Sequence, residues 1–187
     1  MFIFEFKSAP LKTLLNSKQL DLTLQRLAHQ LVENHGDFSN TVIIGIQPRG
    51  IFLSNRIVKL LKSIIAKKTI QYGMLDITFY RDDVHTTDIP VPSITDIPFS
   101  IEGKRVVLVD DVLYTGRTIR SAMDALIDFG RPEKVELLVL VDRRFSRELP
   151  IHPDYTGNTV DTILTQKVKV YWNEKDGKDE VVLIDKI

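Results

Sequence analysis

Apolar residues along the chain follow two kinds of spacing, one typical of helices and one typical of buried strands. Leucines recur at helical spacing from Leu20 to Leu31 with polar residues opposite them, which predicts an amphipathic helix over residues 18–34. Further helices are predicted over residues 51–63 and 118–129. Short continuous apolar runs predict strands that are buried on both faces, at residues 41–46, 106–109 and 135–141.

The order of these elements predicts the fold class. Strands and helices alternate, with a further strand expected over residues 71–80, and this rhythm favours an α/β fold with a central parallel sheet flanked by helices. Toward the C-terminus, strands near 167–172 and 180–184 are joined through Asp176-Gly177, which indicates a hairpin. The apolar segment 1–7 is interpreted as a short strand. No domain boundary is evident, so residues 1–187 are expected to form one domain.

The segment over residues 84–104 has a different character. It contains prolines at positions 90, 92 and 98. It also contains two similar four-residue pieces, Thr87–Pro90 and Thr95–Pro98. Proline disrupts regular elements, and a connection of this length is long for a compact domain. We therefore predict a functional loop here.

The composition excludes several classes of site. The chain has no cysteine, so disulfides, thiolate zinc sites and thiol nucleophiles are excluded. Lys+Arg and Asp+Glu balance at 25 each, which gives no overall attraction to nucleic acid or to an anionic membrane. No apolar run approaches the roughly 20 residues that cross a bilayer, and the N-terminus lacks the features of a signal peptide. A cytoplasmic protein is expected.

The polar turn after the strand at 106–109 carries the most specific chemistry. Asp110 and Asp111 end the strand, and Thr-Gly-Arg-Thr at residues 115–118 opens the next helix. Unpaired N–H groups at a helix N-terminus bind phosphate, Gly116 permits close approach of the backbone, and the two threonine hydroxyls add donors. The carboxylates repel phosphate but accept hydrogen bonds from sugar hydroxyls. The turn therefore predicts a sugar-phosphate site.

A purely structural interpretation of the same residues stays open when they are taken separately. Asp110-Asp111 is also compatible with a capping and turn pair, and Thr115 and Thr118 with ordinary helix N-caps. The whole string of thirteen residues at 106–118 favours the sugar-phosphate interpretation, because each part of it has a role in that site.

This string, VVLVDDVLYTGRT, resembles the phosphoribosyl-pyrophosphate motif of the type I phosphoribosyltransferases. More narrowly, Asp110–Thr118 resembles the version found in the pyrimidine operon attenuation protein/uracil phosphoribosyltransferase family, the PyrR type. The resemblance extends along nearly the whole chain, in segments 44–51, 76–83, 123–126, 130–132, 140–143 and 147–151. It implies the type I phosphoribosyltransferase fold, with a small hood subdomain over about residues 143–165.

The resemblance also implies which residues bind 5-phosphoribosyl-1-pyrophosphate (PRPP). Pro48-Arg49-Gly50 would form the pyrophosphate loop, and Arg81 would contribute charge beside a mobile lid at about residues 84–104. Without the resemblance, the favoured interpretation of Arg49 is a surface arginine beside a turn glycine. The implied PRPP-binding residues of the motif are Asp110, Asp111, Val112, Leu113, Tyr114, Thr115, Gly116, Arg117 and Thr118. The candidate catalytic residues are Asp110, Asp111 and Arg49.

The hood segment of the family binds the base, and the resemblance implies this role for Asp142, Arg143 and Arg147. Uracil offers two carbonyl acceptors and N–H donors, which backbone groups and an arginine can read. The sequence Arg143–Leu149 departs from the family pattern, since it is one residue longer and lacks a histidine.

The reaction implied by the resemblance is transfer of ribose 5-phosphate from PRPP to uracil, which yields UMP and pyrophosphate. Mg²⁺ is the implied cofactor and is carried by PRPP without direct protein ligands. Asp82, Asp83, Asp110 and Asp111 are candidates to hold it through water. An alternative for Asp82 and Asp83 is that they only keep an open lid soluble. Catalysis is expected to come from positioning and charge stabilisation, without a side-chain nucleophile.

Two other functions remain as alternatives. The family also regulates its own operon as a UMP-responsive RNA-binding attenuator, and Lys18, Arg26 and His29 on the first helix are the candidate RNA-binding residues here. Cationic side chains dominate RNA affinity through contacts with phosphates, and three candidates are few, so the sequence leaves RNA binding open. An RNA-binding regulator with weak or vestigial catalysis is the first alternative. A purine phosphoribosyltransferase is the second alternative, because folds are shared more widely than functions. A homodimer or a dimer of dimers is implied.

Overall fold

The computed structural model describes residues 12–66, 69–82, 92–163 and 165–185. The helices are α1 (Ser17–His35), α2 (Gly50–Ile64), α3 (Arg117–Leu126) and the short α4 (Asn173–Asp176), with 3₁₀ turns at Thr78–Tyr80 and Ile127–Phe129. The strands are β1 (Lys12–Leu15), β2 (Thr41–Ile46), β3 (Tyr72–Leu75), β4 (Arg105–Leu113), β5 (Lys134–Arg144), β6 (Tyr155–Asp161), β7 (Gln166–Tyr171) and β8 (Glu180–Asp185). The predicted segment 1–7 lies outside the described residues.

A five-stranded parallel sheet forms the centre of the molecule, in the order β3-β2-β4-β5-β6. Side chains alternate between its faces, so Ile43 packs in the cluster with α1 and α2, whereas Ile44 packs in the cluster with α3. The predicted α/β fold with helices on both faces is therefore confirmed. Because all strands run the same way, their carboxyl ends meet at one edge, where ligands bind in open sheets of this kind.

The helices begin and end where the local chemistry permits. At the start of α1 the Asn16 side chain accepts a hydrogen bond from the Gln19 N–H at 2.9 Å, and the Gln19 side chain accepts one from the Asn16 N–H, which completes a capping box. At the end of the 3₁₀ turn after α3, Gly130 has a φ of 128°. Gly130 therefore ends this helical segment, as its position in the sequence predicts.

A second, three-stranded sheet is antiparallel, in the order β1-β8-β7. It confirms the predicted C-terminal hairpin, although α4 occupies part of the connection. The predicted hood segment of residues 143–165 does not form this sheet. Its middle part, Tyr155–Asp161, is β6 and pairs with β5 at the edge of the central sheet. A short segment of mixed polar and apolar residues forms a strand here because β5 offers an unpaired sheet edge beside it.

Several predicted boundaries shift by a few residues. β3 ends at Leu75, and the remainder of the strand predicted over 71–80 is mostly a 3₁₀ turn. β4 continues to Leu113 and β5 to Arg144, beyond their apolar runs. Both extensions carry polar side chains at the carboxyl edge of the sheet. The predicted site residues Asp110, Asp111, Asp142 and Arg143 are thus inside strands and not in the turns that follow.

The described part of the predicted lid, residues 92–104, is anchored along β3. Asp96 exchanges two backbone hydrogen bonds of 2.8 Å with Met74, and the Thr95 hydroxyl accepts a bond from the Asp76 N–H at 3.0 Å. Thr95 and Asp96 therefore extend the edge of the sheet, while the predicted role of residues 84–104 as a mobile lid stays a prediction. Residues 83–91 lie outside the described part of the chain. Within the described ranges, the longest apolar helical windows fall short of what a bilayer span requires.

Candidate active site

The two acids of the motif are consecutive residues near the carboxyl end of β4, and their side chains contact different parts of the site. Asp110 and Asp111 are each 8% exposed. Because successive side chains in a strand point to opposite faces, Asp110 lines a cavity at the start of α3, whereas Asp111 contacts Arg49. The Asp110 carboxylate also accepts the Asp111 N–H at 2.9 Å. The pair is therefore a preformed feature of the sheet edge.

Burial sets the protonation of this pair. It raises the pKa of Asp110 well above the ordinary range, and the charge of Asp111 raises it further. Burial also raises the pKa of Asp111, although the positive charge and hydrogen bond of Arg49 act in the opposite direction. Strongly perturbed carboxylates in a cavity are frequent at functional sites. The charge of Arg49 favours the ionised form of Asp110 only in part, so a ligand that donates hydrogen bonds would stabilise its charge further.

Arg49 and Gly50 stand at the junction of β2 and α2, after a cis Gln47–Pro48 bond. Gly50 is the first residue of α2, and a Cβ there would lie 2.4 Å from the Val109 carbonyl oxygen. Only glycine allows this contact with β4. Pro48 is exposed, and the Arg49 Nε donates to Asp111 at 3.0 Å. The structure therefore brings the predicted pyrophosphate loop directly beside the acid pair.

The first turn of α3 closes a cavity of about 280 Å³ against the end of β4. Gly116 is the helix N-cap with a φ of 96°, and no side chain caps the helix. The alternative interpretation of Thr118 as an ordinary helix N-cap is thus excluded, because the helix begins at Arg117. The Arg117 N–H donates to the Thr115 hydroxyl at 3.4 Å. The next N–H groups of the first turn have no partner within a helix and can bind a ligand. The cavity is lined by Arg81, Asp82, Asp110, Val112, Leu113, Tyr114, Thr115, Gly116, Arg117, Thr118, Ile119, Ser121 and Glu148.

A network of charged side chains lies at the mouth of this cavity. The Arg117 guanidinium donates to Asp82 at 2.6 Å and to Glu148 at 2.7 Å. Arg120 lies 3.6 Å from the same Asp82 carboxylate. Asp82 is therefore paired with arginine in this structure, while Asp83 lies outside the described residues. Arg117 connects the start of the predicted lid to the residues that follow β5.

The three residues predicted to bind the base make contacts within the protein beside the phosphate turn, and their role in base binding stays a prediction. Arg143 is only 2% exposed, and its guanidinium donates to the Thr162 hydroxyl at 3.0 Å and to the Gln166 carbonyl at 2.9 Å. Arg147 donates to the Asp142 carboxylate and to the Tyr114 carbonyl. Two donor nitrogens of each arginine bind acceptors within the protein, because the chain after β5 folds back onto the turn. Residue type alone does not reveal such partners.

The predicted RNA-binding residues separate into two kinds. Lys18 and His29 are exposed on α1. Arg26 is turned toward the central sheet, where its guanidinium donates to the carbonyls of Thr156 and Gly157 on β6. These bonds fasten α1 to the sheet edge, but Arg26 is exposed as well, so all three candidates lie at the surface.

Two residues near the site were not identified from the sequence. Glu148 lines the cavity and pairs with Arg117, although its segment had been assigned only to base binding. Asp176 lies 3.5 Å from Arg49, although it had been interpreted only as part of a turn signal. Neither contact has a local sequence signature, since each joins segments that are far apart in the chain.

The carboxylates of the site suit a magnesium ion that enters together with a phosphate-containing substrate. The described residues contain no group of three or more His, Asp or Glu side chains arranged to hold a metal. Mg²⁺ is commonly bound by one or two carboxylates together with substrate phosphates and water. The buried carboxylate of Asp110, at the wall of the cavity, fits that kind of coordination, directly or through water.

Comparison with known proteins agrees with the motif. The sequence model of the phosphoribosyl transferase domain matches residues 10–175. "Bifunctional protein PyrR" of Microcystis aeruginosa is 48% identical over 171 residues, which covers 91% of this chain and 96% of that protein. The protein of the same name from Elusimicrobium minutum is 46% identical over 176 residues, covering 94% and 97%. The corresponding Enterococcus faecalis protein is 44% identical over 174 residues, covering 93% and 97%.

Solved structures show the same fold at much lower identity. A hypoxanthine phosphoribosyltransferase from Staphylococcus aureus superposes with a TM-score of 0.70 at 19% identity, covering 94% of this chain and 92% of that one. The Trypanosoma cruzi enzyme gives a TM-score of 0.69 at 16% identity, covering 94% and 97%. The predicted type I phosphoribosyltransferase fold is thereby confirmed. With the sequence identities to the bifunctional proteins, these findings establish that the chain is a phosphoribosyltransferase and belongs to the PyrR family.

Proposed function

We propose that this protein transfers ribose 5-phosphate from PRPP to N1 of uracil, with release of pyrophosphate and formation of UMP. The observation that carries the proposal is the cavity in which the N-terminus of α3 faces Asp110. It combines donors for a phosphate with an acceptor for sugar hydroxyls in one cavity of about 280 Å³. The PyrR relatives favour uracil as the base, whereas the purine enzymes share only the fold with this chain.

Each part of the site has a role in this reaction. The 5′-phosphate is bound by the N–H groups and hydroxyls of residues 115–118, at the positive end of the α3 dipole. Asp110 accepts hydrogen bonds from the ribose hydroxyls and stabilises positive charge that develops on the sugar. Arg49, beside Asp111, stabilises the negative charge of the departing pyrophosphate. Arg81 at the cavity wall adds positive charge on the side of the predicted lid.

The chemical step breaks the bond between C1′ and the pyrophosphate oxygen and forms the bond between C1′ and N1 of uracil, which loses its proton. No side-chain nucleophile is required, so the protein acts through orientation and through charges fixed before the reaction. Bound Mg²⁺ would neutralise charge on the pyrophosphate. Exclusion of water from the cavity would protect the activated sugar from hydrolysis.

A pyrophosphate-release assay with uracil, hypoxanthine and orotate, each with PRPP and magnesium, tests the proposal. We expect turnover with uracil at a kcat/KM at least about 100-fold above that with hypoxanthine, since a site built for one hydrogen-bonding pattern rejects others strongly. Turnover with hypoxanthine alone would contradict the uracil assignment and leave the phosphoribosyltransferase assignment intact.

We further propose that the protein binds RNA in a UMP-dependent manner, because the relatives of 44–48% identity are named bifunctional. Lys18, Arg26 and His29 are the exposed candidates on α1, and a homodimer or dimer of dimers would present two or more copies of them. A gel shift with the leader of the protein's own operon, with and without UMP, tests this. Lys18→Ala should weaken binding and reduce its salt dependence, whereas failure of the wild type to shift the leader would leave only the transferase.

A further inference from the structure

Arg49 is held by residues from both sheets. Its Nε donates to Asp111 of β4 at 3.0 Å, and its Nη2 donates to the Val170 carbonyl of β7. The same Nη2 lies 3.5 Å from the carboxylate of Asp176 in α4. The Nε–Nη2 edge of the guanidinium is therefore fixed by an acid of the central sheet on one side and by the second sheet on the other.

The Asp176 carboxylate is itself fixed in place. Its Oδ2 accepts the backbone N–H of Trp172 at 2.9 Å, at the start of α4. The Trp172 side chain is fully buried, and the Arg56 guanidinium lies 5.0 Å from the centre of its ring. A carboxylate on such a rigid segment has little freedom to move away from Arg49. The position of Arg49 thus depends on how the second sheet packs against the first.

The opposite part of the guanidinium stays available. Within the described ranges, Nη1 of Arg49 makes no hydrogen bond to the protein, and the side chain is 28% exposed. A guanidinium has five donors in a fixed plane, so fixing one edge also fixes the direction of the other. This arrangement is suited to present Nη1 to an anionic oxygen beside the acid pair.

We propose that Asp176 is a positioning residue of the transferase reaction, which acts through Arg49 by holding its guanidinium in the orientation that binds the pyrophosphate group. The proposal rests on the function proposed above and adds to it a residue from outside the motif. The second sheet therefore contributes to pyrophosphate binding as well as covering the site. Asp176 itself does not touch the reacting atoms.

Asp176→Asn is the decisive variant, because an asparagine oxygen still accepts the Trp172 N–H while the negative charge beside Arg49 is lost. We expect the KM for PRPP and the Kd for pyrophosphate to rise about 3- to 10-fold, with the KM for uracil unchanged. Asp176→Glu, which restores the charge, should recover part of the affinity. The melting temperature and the emission of Trp172, the chain's only tryptophan, should remain those of the wild type.

The matched control is Asp179→Asn. Asp179 lies in the same connection, pairs with Arg56 at 2.7 Å and accepts the Asn173 N–H at 3.0 Å, so it has similar structural contacts without touching Arg49. We expect this variant to leave the KM for PRPP and the Kd for pyrophosphate unchanged. An equal rise in both variants would overturn the positioning role and indicate a general effect of the connection.

A double-mutant cycle with Arg49→Lys completes the test. If Asp176 acts through Arg49, adding Asp176→Asn to Arg49→Lys should change pyrophosphate affinity by less than about 2-fold. Additive losses, or wild-type constants in Asp176→Asn, would overturn the inference. Pyrophosphate binding is measured by calorimetry in the absence of uracil. A wild-type protein that binds pyrophosphate but does not turn over uracil would therefore contradict the uracil assignment without affecting this test. Absence of PRPP and pyrophosphate binding in the wild type would instead remove the proposed function, and this inference with it.

Discussion

The guanidinium carbon of Arg143 lies 4.0 Å from the centre of the Tyr114 ring, in the middle of the phosphate turn. The stack fixes the turn from the side of β5, and the backbone N–H groups of Glu148 and Leu149 bind the Thr115 carbonyl at 3.0 and 3.2 Å from the same side. The motif is therefore shaped by residues that follow it by about thirty positions. This arrangement explains why Arg143, which was predicted to bind the base, is buried.

Replacing Arg143 by lysine tests that structural role. Lysine cannot reproduce the planar stack or the paired bonds to Thr162 and Gln166, so we expect the free energy of unfolding to fall by about 1–3 kcal/mol. The KM for PRPP should rise as the turn loosens. Denaturant titration and steady-state kinetics measure both. Arg144→Lys, on an exposed pair with Asp161, is the control and should change stability by less than about 0.5 kcal/mol.

If Arg143 reads uracil instead, the outcome differs in two measurements. The KM for uracil would rise strongly in Arg143→Lys, and the stability would match that of Arg144→Lys. That result would restore the base-binding role predicted from the sequence.

Asp110→Asn should raise the stability of the folded protein and weaken its binding of PRPP. Burial raises the folded-state pKa of Asp110 above the unfolded value of about 3.9, so the folded protein binds more protons than the unfolded chain. Stability therefore falls as the pH rises through the folded pKa, and the uncharged asparagine removes this loss. We expect a higher melting temperature at pH 7–8 and at least about 10-fold weaker PRPP binding, because a charged acceptor is lost.

The pH dependence of PRPP binding checks the same assignment. Wild-type affinity should decline on acidification at a pH above the ordinary aspartate range, and Asp110→Asn should be less sensitive. Asp124→Asn, an exposed residue of α3 that pairs with Arg120 at 3.1 Å, should behave like the wild type in both measurements. A lower melting temperature for Asp110→Asn would mean that the carboxylate is mainly structural. Asp111→Asn should also lose PRPP affinity with little change in melting temperature.

Gly116→Ala tests two effects at the N-terminus of α3, which are the backbone strain at a positive φ and the contacts of an added Cβ. The φ of 96° is strained for alanine, and the added Cβ would lie 3.2 Å from Ile151 Cδ1 and 3.3 Å from Leu149 Cβ. We expect a loss of about 1–3 kcal/mol in stability and a higher KM for PRPP, since the turn must shift. Gly103→Ala is the control, because its φ is also positive, at 64°, with no atom within 4 Å. Equal stability losses would show that the contacts with Ile151 and Leu149 are unimportant.

A buried polar cluster lies at the opposite end of the central sheet. His35 Nε2 is 2.9 Å from a Glu136 carboxylate oxygen, and His35 Nδ1 is 3.1 Å from the Thr41 hydroxyl. Burial lowers the pKa of His35 despite the nearby carboxylate. Burial of Glu136 disfavours its charge, yet hydrogen bonds from Lys134 and Arg105 outweigh this and lower its pKa.

This cluster predicts a loss of stability in acid in two stages. The folded protein disfavours protonation of His35, so stability falls as the pH drops below the unfolded histidine pKa of about 6.5. Glu136 adds a second loss below about pH 4.5, where its carboxylate is protonated in the unfolded chain. His35→Gln should lower the melting temperature at pH 8 but reduce its decline between pH 7 and 5. His29→Gln, on the exposed side of α1, should keep the wild-type decline, and an identical decline in both variants would exclude His35 as the cause.

The main elements and the sugar-phosphate turn followed from the sequence because their determinants are local. Periodic leucines define α1, and the continuous apolar run of β2 is buried on both faces. The string at 106–118 carries the acids, the glycine and the hydroxyls of the site within one connection, so its chemistry is visible without the fold. The strand β6 was missed because its residues, Tyr155–Asp161, lack an apolar run.

The amino-acid sequence by itself therefore determined the α/β class, the family and the position of the phosphate turn. Only the tertiary structure decided the partners of the arginines: Arg143 beneath Tyr114, Arg147 on Asp142, and Arg49 between Asp111 and Asp176. An arginine offers the same donors wherever it stands, and its function depends on which acceptors the folded chain brings within about 3 Å. Most of those acceptors come from strands and turns distant in sequence. Asp142 is only five residues from Arg147, but it comes within reach because the chain after β5 folds back, so no local pattern specifies these partners.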